Sequence, residues 1–254
     1  MAVAVYWQPG CTSCLRVRQF LADHGVAFES HNVLADSAAR ATLDRLGVRS
    51  VPVVTRGETF VFAQELDDVA RFLGLPLRGA RLAVPILAAR VQGLLTSAST
   101  MAAALPADHL LTCIPGRDRS HADIAFHIGQ IAAGFLDAAR GGELTYGYFA
   151  RRSPTPLSSS VALVDGLAVV SADFASWWSA EAGALPDTVK TYYGVRPLHQ
   201  VLERTAWHMA QHCRQLQHIL TNIGVDAASL LAPSMLDGLP LPRDVWDPEI
   251  KPVD

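Results

Sequence analysis

The sequence is poor in cysteine, poor in charge, and without a marked excess of either charge sign. Four cysteines in 254 residues, Cys11, Cys14, Cys113 and Cys213, are too few for a secreted disulfide framework. Charged residues make up 18 %, and 21 Lys+Arg stand against 24 Asp+Glu for a net charge of -3. That balance does not neutralise a phosphate backbone, so nucleic acid is not an expected partner. No run of about 18 apolar residues escapes charge or proline, so no membrane span is expected. The opening Met1–Trp7 lacks a basic lead, and its apolar run stops at Gln8-Pro9-Gly10. No export signal is therefore expected, and the expected location is cytoplasmic. What is present is apolar: 50 % hydrophobic residues and a mean hydropathy of +0.21 are enough for real cores and exclude disorder. The length allows one large domain or two modest ones.

Two textures divide the chain. Residues 1–78 alternate strand and helix. Val3–Trp7 is a short β-prone run, and Ser13–His24 carries apolar residues at helical spacing up to Gly25. Val26–Val33 predicts a second strand and Ser37–Leu46 a second helix. Val51–Val54 and Thr59–Phe62 flank a hairpin at Arg56-Gly57-Glu58, and Glu65–Leu73 closes the domain as a helix. The order βαβαββα predicts an α/β fold with a mixed sheet. Residues 79–231 have few strand signals and four long helical stretches, at about 81–104, 120–140, 158–184 and 197–223. That count and length predict an all-α four-helix bundle. Residues 232–254, with Pro233, Pro240, Pro242, Pro248 and Pro252, predict an extended tail laid over the bundle or a neighbouring subunit.

Cys11-Thr12-Ser13-Cys14 falls between the first strand and the first helix. A cysteine there meets free backbone N–H groups and the positive end of the helix dipole, both of which favour thiolate. Cys11 then reads as the nucleophile, and Cys14, one turn later, as the thiol that resolves its mixed disulfide. The competing reading is half of a zinc site, for which this stretch offers only His24 and His31 as further ligands.

Tyr6-Trp-Gln-Pro-Gly-Cys-Thr-Ser-Cys14, Val51-Pro52 and the closing helix at Glu65 together resemble a glutaredoxin over roughly the first 75 residues. The resemblance implies a thioredoxin-like fold, with Val51-Pro52 as the cis-proline step beside the cysteines. It also implies thiol–disulfide exchange with glutathione or another low-molecular-weight thiol, held by Gln8, Thr12, Val51, Pro52 and Gln64. Gln8 stands where the family usually has a lysine for the glutathione carboxylate, and Phe62-Ala63-Gln64 stands where it has a Gly-Gly pair. Two alternatives stay open: a different thiol, or the chain's own C-terminal half as partner.

On the last long helix two stripes face inward. Leu202, Ala206, Met209, Cys213, Leu216 and Leu220 form a core stripe. About 100° round, Val201, Thr205, His208, His212, Gln215 and Ile219 form a second one. Glu203, Arg214, Gln217 and His218 point outward. His208 and His212, four apart, can share one metal ion. His127 lies on an apolar stripe of the second long helix and is the third candidate, with Gly134 allowing a neighbouring helix to come close. His121, His109 and His199 are weaker candidates. Buried imidazoles are costly without a shared partner, and three leave coordination positions open, the mark of a catalytic site. Zinc is the first choice, with nickel, iron or manganese also suited to imidazole.

Ala125-Phe-His-Ile-Gly129 and Trp207-His-Met-Ala-Gln-His-Cys-Arg-Gln215 resemble the DinB-type metal-binding bundle over roughly residues 81–230. The resemblance implies metal ligation by His127, His208 and His212, a crossover through Gly141–Leu157, and kinship with thiol S-transferases and thiol-dependent maleylpyruvate isomerases. The leading reading is thus a metal-dependent, thiol-using transferase, lyase or isomerase acting on a small electrophile, coupled to a thiol–disulfide redox domain. The alternatives are a glutaredoxin-type oxidoreductase whose bundle docks or dimerises, and a non-enzymatic metal or redox sensor or carrier. A homodimer is compatible with each.

Overall fold

The computed structural model describes residues 2–114, 118–154 and 159–247. They form two units, residues 2–80 with 242–247 and residues 81–241. Leu157 at the end of the expected crossover, Ser158 at the start of the third long helical stretch, and Pro248 and Pro252 of the expected tail lie outside the described residues.

The first unit runs β1 (Val3–Trp7), α1 (Thr12–Asp23), β2 (Phe28–Asn32), α2 (Ser37–Arg45), β3 (Val53–Arg56), β4 (Thr59–Phe62) and α3 (Leu66–Leu73). Its sheet has the order β2-β1-β3-β4. β1 and β2 are parallel, a pairing that needs a crossover, and α1 supplies it. β3 is antiparallel to β1 and to β4, and Gly57, at a φ of 65°, makes the tight turn between β3 and β4. Side chains alternate across the sheet. Tyr6 and Val53 enter one core layer with Cys14, Leu43 and Val51, while Val5 and Val54 enter the other with Val17, Leu21 and Val69. Asp36 caps α2 by accepting from the Ala39 amide at 3.0 Å.

Residues 242–247 correct the expectation of a tail on the bundle: they belong to the first unit and lie along α1. Arg18 pairs with Asp247 at 3.1 Å, Gln19 bonds Asp244 and the Arg243 amide at 2.7 Å each, and Arg243 pairs with Asp23. Trp246 is buried. Arg18, Gln19 and Asp23 of α1 thus meet Asp247, Asp244 and Arg243 of the tail with complementary groups.

The second unit is mainly helical. α4 (Val84–Ala103), α5 (His121–Ala139), α7 (Val161–Glu181) and α8 (Leu198–Asn222) are its long helices, and α6 (Gly147–Ala150) is one turn. α4 and α5 each pack against α7 and α8 more than against each other. The near-absence of strands expected here is overturned by a small sheet of β5 (Glu143–Leu144), β6 (Thr188–Thr191) and β7 (Gly194–Pro197), in the order β5-β6-β7. These strands are two to four residues long, too short for periodicity to mark. Gly134 does admit a close approach, by Leu144 of β5 and Tyr148 of α6. Glu203, expected to point outward, is buried and paired with Arg81. α7 is long and apolar enough, by length and composition, to cross a membrane. It nevertheless carries Asp165 and Asp173 and buries Leu163, Leu167, Phe174 and Trp177 within the unit.

Candidate functional sites

The thiol site grows from the junction of β1 and α1. Gly10, at a φ of 69°, turns the chain, and Cys11 becomes the N-cap of α1. Its Sγ accepts from the Cys14 amide at 3.2 Å, so an amide that the helix leaves unpaired points at sulfur. Cys11 and Cys14 form a disulfide, with Cα atoms 5.1 Å apart. Cys14 is fully buried and Cys11 only partly, so Cys11 is the more accessible sulfur. Thr12 is buried in the first turn, and Gln8 precedes the turn half-exposed.

The loop before β3 comes to the same end of the sheet. The Val51–Pro52 bond is cis, and Val51 lies in the core layer of Cys14, against which Cys11 also packs. Gln64, almost fully buried, donates from its amide to the Val51 carbonyl at 3.2 Å, and its own carbonyl accepts from Arg16 at 2.7 Å. Thus α1, the cis-proline loop and the turn before α3 are linked by buried polar bonds.

The histidine site is built from two distant segments. Ser120 and Asp123 start α5 with a capping box. Burial alone would raise the Asp123 pKa, but bonds from Ser120 and Ser153 outweigh it and hold the carboxyl below its usual value. That anchor fixes the α5 register that carries His127. His208 and His212 project from adjacent turns of α8. All three are buried, each offering a ligand nitrogen within 4.8 Å of the others. The Nε2 atoms of His208 and His212 are 3.2 Å apart. Two nitrogens each about 2.0–2.1 Å from a tetrahedral zinc stand about 3.3 Å apart. The donor set and its spacing therefore fit a divalent metal.

His212 Nδ1 lies 2.8 Å from Gln215 Oε1. Phe149 of α6 packs on the rings of His127 and His208 at centroid distances of 5.9 and 5.6 Å, and Trp207 lies 5.4 Å from His208. One turn before His208, the buried Arg204 guanidinium is 5.0 Å from the centre of Phe149 and donates to the Tyr192 hydroxyl at 3.2 Å. Burial raises the Tyr192 pKa, and Arg204 opposes it. The sequence signals for Arg204, Phe149 and Tyr192 are too weak to single them out. Gln215 is on the histidine stripe, and its spacing from His212 is the available signal.

The other histidines stand elsewhere. His121 is buried and lies 6.5 Å from His109, and both burial and that neighbour lower its pKa. His199 bonds the Leu82 carbonyl at 2.7 Å, and His218 is near Asn222. Cys213 is fully buried, which pushes its thiol far above the usual range, whereas Cys113 is exposed.

Sheet order and the helix-capping cysteine pair define the first unit as a thioredoxin-fold, glutaredoxin-like thiol-redox domain. Residues 3–61 match the glutaredoxin family. Gene 56 protein of Mycobacterium phage D29 is 38 % identical over 53 residues, which are 20 % of this chain. The match spans 59 % of that relative's own length. A crystal structure of a mutant of the thioredoxin-like protein BC3987 aligns at 31 % identity, covering 29 % of this chain and 96 % of that one, with a TM-score of 0.28.

Proposed function

We propose that this protein is a metal-dependent, thiol-using enzyme whose redox domain exchanges disulfides with the same class of low-molecular-weight thiol. The observation that carries the proposal is the convergence of His127, His208 and His212 from two helices on one buried point. The resemblance to the DinB-type four-helix bundle supports it, because that superfamily includes thiol-using transferases and isomerases. Zinc is the preferred metal, with nickel, iron or manganese as competitors. A metal bound there supplies a Lewis acid that favours the thiolate form of a ligand thiol.

The protein's own groups do the rest. His127, His208 and His212 would hold the ion through their ring nitrogens. Phe149, packed on His127 and His208, and Trp207, beside His208, shield those rings from water. Arg204 adds positive charge one turn away, which favours an anionic ligand over its neutral form. In the redox domain, the Cys11 thiolate attacks a sulfur of a small disulfide and forms a mixed disulfide, and one thiolate leaves. Cys14 then attacks the Cys11 sulfur, closes the intramolecular disulfide and releases the second thiol. An external dithiol or thiol pool returns the pair to the reduced state. Gln8, Thr12, Val51, Pro52 and Gln64 frame that exchange.

The test is elemental analysis of the purified full chain, followed by a screen of glutathione and related thiols against small electrophiles. Bound metal that disappears in His208→Ala, together with thiol consumption that requires the metal, is the expected result. Metal-free protein with full disulfide-exchange activity would instead favour the second reading, a glutaredoxin-type oxidoreductase. The Cys11–Cys14 pair, in a segment that matches the glutaredoxin family, favours that second reading.

A further inference from the structure

We infer that Gln215 is the positioning residue of the histidine site: it holds His212 in the tautomer that turns the Nε2 lone pair toward His208 and the metal. The inference rests on the metal reading above and concerns a residue that does not itself touch the ion.

Gln215 Oε1 is a carbonyl oxygen and can only accept. It stands 2.8 Å from His212 Nδ1, a full hydrogen bond in a buried setting. The proton of a neutral His212 is therefore on Nδ1. The other ring nitrogen then carries a lone pair and no proton, and it is that nitrogen, Nε2, which faces His208 Nε2 at 3.2 Å. Without such a bond a neutral imidazole is free to place its proton on either nitrogen, and Nε2–H would present a donor where the ion needs an acceptor.

Helical geometry explains why Gln215 serves this role. Residues three apart share a helix face, so its amide reaches the outer nitrogen of His212 while the inner nitrogen points toward the site. Gln215 is buried, and so is His212. In that surrounding the bond is shielded from competing water and also restricts rotation of the ring. A ligand whose ring is already oriented loses less freedom when the ion arrives. Groups of this kind typically contribute about 10–100-fold to metal affinity.

The role is separable from simple packing by choosing substitutions of similar size. Gln215→Glu keeps an acceptor for Nδ1–H and makes the imidazole a stronger donor to the ion. Gln215→Leu keeps the volume and removes the acceptor. The experiment has two readouts on the full-length chain. Histidine side-chain nitrogen spectra of the metal-free protein report which nitrogen of His212 carries the proton. Competition titrations with zinc and cobalt(II), with the cobalt ligand-field spectrum, report affinity and geometry.

The expected result is His212 protonated on Nδ1 in the wild type and in Gln215→Glu. Zinc affinity should be equal or higher in Gln215→Glu and about 10–100-fold lower in Gln215→Leu, with an altered cobalt spectrum in the latter. Wild-type affinity in Gln215→Leu, with binding still lost in His208→Ala, would overturn the positioning role and leave the metal site standing. Absence of zinc and cobalt binding by the wild type would overturn both. If Gln215→Leu does not fold, a wild-type His212 protonated on Nε2, or a Gln215→Glu variant with reduced affinity, would overturn the role on its own.

Discussion

The thiol site and the histidine site are assembled in opposite ways. Cys11 and Cys14 come from one loop and one helical turn, and their reactivity derives from the helix start itself, where the Cys14 amide points at Cys11 Sγ. His127 and His208 come from α5 and α8, with the small sheet and α7 between them in the chain. No single element of the second unit contains its site. The thiol site thus draws on local geometry and needs the fold mainly for Val51 and Gln64, whereas the histidine site exists only once two helices have packed. The local site should tolerate distant changes, and the assembled one should respond to anything that shifts α5 against α8.

The largest effects should separate the two sites outright. His208→Ala or His212→Ala should abolish retention of zinc through dialysis, measured by elemental analysis, while the Cys11–Cys14 pair keeps its reduction potential. A shifted potential would break the contrast. Cys11→Ser should abolish disulfide exchange and leave metal content unchanged. In reduced wild type, iodoacetamide should alkylate Cys11 well below the ordinary thiol pKa of about 8.5. Cys14→Ser should still form mixed disulfides but release them slowly.

Smaller effects sharpen the contrast. Trp246→Ala removes the buried ring by which the returning tail packs in the first unit, and should cost about 3 kcal/mol in urea unfolding with zinc affinity unaltered. Asp123→Ala removes the capping box and the bonds from Ser153, and should cost about 2 kcal/mol. Because α5 carries His127, this variant should also weaken zinc binding, and unchanged binding would show that the α5 start does not govern the site.

The smallest effect is electrostatic. Burial, and then His109, lower the His121 pKa in the folded chain. As pH falls below about 6.5, the unfolded chain takes up a proton before the folded one does, so the stability present above that value is lost. In metal-depleted protein, His121→Asn should reduce the slope of stability against pH between about pH 7 and 5. An unchanged slope would assign that loss to other groups.

The parts of the fold legible in the sequence are those with long or sharply punctuated patterns. β1, α1 and the hairpin at Gly57 announce themselves through apolar runs and glycine stops, and the long helices of the second unit through their spacing. The small sheet escapes because β5 has two residues and β6 and β7 have four each. Glu203 illustrates a different limit. A helical wheel puts it outward, but Arg81 from before α4 covers it and provides the opposite charge. The wheel describes one helix and contains no information about what packs on it.

The local repeat of single elements accounts for the helix-start position of Cys11, the one-turn spacing of Cys14, the i,i+4 alignment of His208 and His212, and the placement of Gln215 three residues past His212, and each of these is legible from the sequence alone. Tertiary packing was needed to bring His127 to that pair, to set Phe149 against the His127 and His208 rings with Arg204 beside it, to bury the His212–Gln215 bond in a core, and to return the tail to α1. Each of those depends on segments far apart in the chain. Which segments meet is selected by how well whole apolar faces and buried polar partners fit together, a property that no single stretch of sequence carries.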